Sequence, residues 1–72
     1  MLRVVSQNGR VSVNIDNSTL YIEKVNSNKY NINAYVSGVV YMLGSYDTYE
    51  TAKGWFETIH NNLYGSKVVY LG

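Results

Sequence analysis

Turn signals recur about every ten residues through the first 46 positions, and this spacing limits the chain more than any other feature. Asn8-Gly9, Asp16-Asn17-Ser18-Thr19, Asn26-Ser27-Asn28 and Ser37-Gly38 cut that stretch into five short runs. Each run alternates apolar and polar residues, the period of a strand with one buried face. No proline interrupts them. Short turns between consecutive strands favour antiparallel neighbours, so a five-stranded antiparallel meander is expected over residues 1–46.

The turns set the register. Asn8-Gly9 is a strong type I′ signal, because both residues tolerate positive φ. It sets residues 2–6 against residues 10–15, with Val4 facing Val13 and Leu2 facing Ile15. The polar turn at 16–19 then places Ile15 opposite Leu20 and Val13 opposite Ile22. A three-residue loop at 26–28, with Asn28 left-handed, pairs Ile22 with Ile32 and Leu20 with Ala34. Ser37-Gly38 pairs Ala34 with Tyr41 and Ile32 with Leu43. One face therefore collects Leu2, Val4, Val11, Val13, Ile15, Leu20, Ile22, Ile32, Ala34, Tyr41 and Leu43.

The period changes after residue 46. Asp47 and Glu50 have capping-box spacing, and Ala52, Trp55, Phe56, Ile59 and Leu63 recur as one stripe of a helix over 47–64. Gly65 suits a left-handed helix end. Residues 66–72 read as an apolar arm or a short sixth strand. The expectation is one α+β domain spanning 1–72, with a single helix on the core face.

The opposite face is not fully polar. Val5, Tyr21, Tyr35, Val40 and Met42 fall there, and one helix cannot cover both sides of a sheet. Together with Val69, Tyr70 and Leu71 of the arm they are the candidate contact residues, either for a second copy, with a dimer favoured, or for another protein. At 72 residues a lone core leaves a thin margin of roughly 3–5 kcal/mol, which adds weight to self-association. Arg3 and Arg10 are the candidate anion contacts.

Composition removes several function classes. Without cysteine and with one histidine, neither a disulfide nor a thiolate or multi-histidine metal site is expected, and no cofactor is implied. A net charge of +1 gives no electrostatic footprint for duplex DNA. No run of 18 apolar residues suggests a membrane span, and the opening lacks a signal peptide's apolar core, so a cytoplasmic setting is expected. His60 and Glu57 are three apart on the helix and read as a solvated pair. Asp47 and Glu50 are accounted for by capping. With no nucleophile, base and orienting partner in view, the chain is expected to bind rather than to catalyse. Tyr21 and Tyr35 beside Arg3 and Arg10 leave single-stranded nucleic acid open as a ligand.

Three stretches carry a resemblance: residues 2–9, which include Val5-Ser6-Gln7-Asn8-Gly9; residues 42–46, Met-Leu-Gly-Ser-Tyr; and residues 47–53, Asp-Thr-Tyr-Glu-Thr-Ala-Lys. The chain resembles small proteins of phages and prophages of Gram-positive bacteria. Those often open with an Ile/Val-Ser-Gln-Asp/Asn-Gly hairpin and later carry L-G-x-Y before a capped helix. Trp55, Phe56 and His60 depart from that pattern. The resemblance implies no activity. It implies a setting, an accessory protein made in an infected or lysogenic cell. In that setting it would block a host defence protein, or act as an oligomeric sponge for a nucleotide signal with Arg3, Arg10 and Tyr21 at its pockets. A structural virion or scaffold role is a further alternative.

Overall fold

The structure is a computed structural model that describes residues 2–62 and 68–72. Strands β1 (Arg3–Val5) and β2 (Ser12–Asn14) are followed by a 3-10 turn, Ile15–Asn17. Then come β3 (Thr19–Asn26), β4 (Lys29–Val36), β5 (Val39–Tyr46), helix α1 (Tyr49–Asn61) and β6 (Val68–Tyr70). The class is α+β with mostly antiparallel strands, but the single five-stranded meander is not what forms. There are two three-stranded sheets, ordered β2-β1-β6 and β3-β4-β5.

The break falls at the polar turn. The Asn14 side chain accepts the Asp16 N–H, and the Ser18 N–H and hydroxyl both donate to the Ile15 carbonyl. These local bonds close a 3-10 turn rather than a hairpin. The expected Ile15–Leu20 and Val13–Ile22 pairs therefore do not form, and β3 starts a second sheet. The two sheets still share one core. Leu2, Val4, Val13, Ile15, Ile32, Ala34 and Leu43 are buried, and Val11, Leu20 and Ile22 pack half-buried against them.

Within each sheet the hairpin registers hold. Val4 pairs with Val13, Ile22 with Ile32, Leu20 with Ala34 and Ala34 with Tyr41. The details differ at three places. In the first loop only Gly9 has positive φ (74°), so Gln7 and Asn8 turn in the ordinary right-handed sense and Gly9 closes the loop. At 26–28 the loop shortens to Ser27-Asn28, with Asn28 not left-handed and Val25 bulged out. In β5, Ile32 faces Gly44 rather than Leu43, because the register shifts at Leu43. That bulge drives Leu43 into the core, while Tyr41 stays more than a third exposed. The last hairpin, with Ser37 and Gly38 both at positive φ, has the type I′ form.

Helix α1 packs across β3, β4 and β5, burying Ala52 and Ile59, with Trp55 and Phe56 half-buried beside them. Its cap is Thr48, one residue later than Asp47: the Thr48 hydroxyl accepts the Thr51 N–H at 3.2 Å. Leu63 and Gly65, expected in the last turn and at the helix end, lie outside the described residues. The apolar arm is a true sixth strand. It lies parallel to β1, with Val4 beside Val69, and buries Val69 and Leu71 in the core.

Candidate docking surface

The outer face of β3-β4-β5 is built from three rows set by the register: Thr19–Tyr35–Val40, Tyr21–Asn33–Met42 and Glu23–Asn31–Ser45. The helix lies against the other side. Tyr35, Val40 and Met42 are 47%, 52% and 51% exposed, and Tyr21 is half-buried. They form an apolar strip along the β5 side of the sheet.

The middle of the same face is polar and buried. Asn31 and Asn33 are 8% and 4% exposed, Asn33 between the longer Tyr21 and Met42 side chains of its row and Asn31 between Glu23 and Ser45. The Asn33 amide N–H donates to Glu23 Oε1 at 2.9 Å. The side-chain oxygens of Asn31 and Asn33 have no partner among the described residues.

Strand β5 is one of the sheet's two edges, and its two halves differ. Residues 39–42 are exposed on both faces, and the pairing of Val36 with Val39 at the hairpin turns the backbone groups of Val40 outward. Residues 43–45 are covered by Gln7. Its backbone N–H donates to the Leu43 carbonyl at 2.7 Å, and its side-chain oxygen accepts the Ser45 N–H at 2.9 Å. Its side-chain nitrogen donates to the Gly72 carbonyl at 3.3 Å. One residue thus joins the first loop, the β5 edge and the chain beyond β6. Away from this joint the sheets diverge, leaving a cleft of about 390 Å³ between residues 11–14 and the Val36, Ser37 and Tyr41 side.

The candidate contact residues separate into three groups. Tyr21, Tyr35, Val40 and Met42 share the outer face just described. Val5 and Tyr70 pair on the outer face of the other sheet, with Val5 half-buried and Tyr70 the more exposed. Val69 and Leu71 are not surface residues, because the alternation of β6 turns them inward against β1. Arg3 donates to the Ser12 hydroxyl on that second sheet, and Arg10 is exposed in the first loop. Neither arginine lines the 390 Å³ cleft, and nor does Tyr21. Glu57 pairs with Lys53 at 3.9 Å, both well exposed, rather than with His60.

Two features escaped the sequence reading. Gln7 falls between the first strand and the Asn8-Gly9 turn, and no pattern in the chain marks it as a joint. Asn31 and Asn33 did leave a signal: two amides at alternate positions of what must be the central strand of a sheet. Among the described residues no cluster of His, Asp or Glu could hold a metal, and no helix is long and apolar enough to cross a membrane. Comparisons with protein-family models, with curated proteins and with solved structures return no match.

Proposed function

We propose that this protein works by stoichiometric, non-catalytic binding of another polypeptide through the outer face of β3-β4-β5 and the open half of β5. The carrying observation is the strip of Tyr35, Val40 and Met42 beside an edge with no charge. Soluble sheets commonly blunt their edges with lysine, proline or a covering loop. Here Gln7 covers only residues 43–45, and residues 39–42 are Val-Val-Tyr-Met. Such an edge can accept an added strand, with the aromatic and methionine side chains filling the contact beside it. The resemblance to small phage and prophage proteins supplies the setting: an accessory protein acting on a host defence protein in the cytoplasm of the infected cell.

The test uses the full chain carrying Val40→Asp with Tyr35→Ala, captured from its infected host beside the unaltered protein. Both sites are about half exposed, so the fold should persist. The altered protein should melt within a few degrees of the parent and lose the captured partner. Capture of the same partner by both proteins would remove this surface from the function.

The uncharged edge favours a second reading. An antiparallel two-fold pairing of residues 39–42 with a second copy meets no like-charge repulsion, and it would join two β3-β4-β5 sheets into one. Sedimentation distinguishes the readings: a dimer of the parent that Val40→Asp dissociates supports self-pairing, and a monomeric parent removes it.

A further inference from the structure

We propose that the centre of the β3-β4-β5 outer face is a guanidinium site, taking an arginine side chain of the docked polypeptide onto Glu23, Asn31 and Asn33. This rests on the docking function above and names the chemistry of its anchor. Both asparagines are more than nine-tenths buried, and each keeps a side-chain oxygen with no donor among the described residues. Buried acceptors of this kind are costly and uncommon, so two on one strand mark a place where donors are to be brought in. The orientation of the Asn33 amide is fixed chemically. Its N–H group donates to Glu23 Oε1 at 2.9 Å, and the reverse orientation would set oxygen against carboxylate. Its free atom is therefore an acceptor.

The charge points the same way. The Glu23 carboxylate forms no ion pair among the described residues. Lys29 shares the face at the far end of β4 and is exposed, but it makes no such contact with Glu23. The site thus holds two covered amide oxygens beside one exposed anionic carboxylate. A ligand reaches the oxygens once the flanking Tyr21 and Met42 side chains swing aside, and one N–H of Asn33 is already committed to Glu23.

An anion would be repelled by the Glu23 carboxylate, unpaired among the described residues. An ammonium concentrates its donors at a point, whereas Asn31 and Asn33 stand about 7 Å apart along the strand. A planar guanidinium spreads five N–H donors along a fork and stacks on aromatic rings. Tyr21 faces Asn33 in the same row and supplies such a ring. Arginine is also enriched among interface anchors.

The test is a titration of the 15N-labelled full chain with N-acetyl-arginine N-methylamide, following the side-chain amide signals of Asn31 and Asn33. The citrulline counterpart, which has the same shape without the charge, is the control. Saturable shifts with a Kd on the order of 1 mM are expected for the arginine compound. The citrulline compound and Glu23→Gln should each weaken binding roughly tenfold. No shift at either asparagine, or equal binding of the citrulline compound, would overturn the site. Capture of the host partner separates this inference from the docking function. A partner lost with Val40→Asp but kept by Glu23→Gln leaves docking standing and removes the arginine site.

Discussion

Gly44 and Tyr46 show how single residues decide the packing at the β5 bulge. A Cβ on Gly44 would lie 2.7 Å from the Tyr46 hydroxyl oxygen and 2.8 Å from its ring. The ring folds back over the glycine of its own strand, covering the place where Ile32 meets no side chain. Gly44→Ala should therefore cost about 1–3 kcal/mol in urea unfolding, the usual range for overpacking. Combined with Tyr46→Leu, it should cost less than the sum of the two changes. The Tyr46 hydroxyl is buried without a partner among the described residues, and burial pushes the phenol above its ordinary value. A raised folded value means this residue's contribution is complete below pH ~10 and is lost as the pH climbs through the folded value. Melting temperatures should thus fall above pH ~10 in the parent and less in Tyr46→Phe. At neutral pH that variant should be as stable as the parent or slightly more so. None of this was legible from spacing, because it follows from the bulge at Leu43. A bulge shifts register without any turn residue to announce it.

At the scale of elements, the hairpins were the most legible part of the chain. Their registers follow from loop length and a buried face, and a slip of one residue would turn Ile22 and Ile32 outward. The helix was legible in place but not in its cap. Asp47 with Glu50 and Thr48 with Thr51 have the same spacing, and the backbone chose Thr48, whose extended φ of −128° sets its hydroxyl toward the Thr51 N–H. Thr48→Ala should lower stability by about 1 kcal/mol, read as a lower urea midpoint. Asp47→Ala should cost only a few tenths, the scale of a charge near a helix start. A larger loss from Asp47→Ala than from Thr48→Ala would return the cap to Asp47. The polar turn misled the reading for a related reason. Asp, Asn and Ser close a hairpin or a 3-10 turn with equal ease, and only the side-chain bonds of Asn14 and Ser18 decide between them.

For the whole molecule, one core serves two sheets, and β6 completes it. Val69 and Leu71 sit against the inward residues of β1, and each buried aliphatic contributes ~1.5–3 kcal/mol. Their sum is comparable to the whole margin of a domain this small. Deleting residues 68–72 should leave a largely unfolded chain by circular dichroism, whereas Tyr70→Ser, at the most exposed of the large apolar residues, should fold normally. The candidate surface was legible in part. Period two placed Tyr21, Tyr35, Val40 and Met42 together because they share one sheet. It could not say that Val5 and Tyr70 stand on another, since the division into sheets depends on a few polar bonds in one turn.

Because β6 runs parallel to β1, traction applied at Arg3 and at Tyr70 in opposite directions would slide the two strands past each other lengthwise. Their ladder would then be loaded all at once rather than unzipped rung by rung, and the Leu71 N–H bond to Val5 would share the strain. A domain with a thin margin of stability can in this way resist traction applied across these two strands.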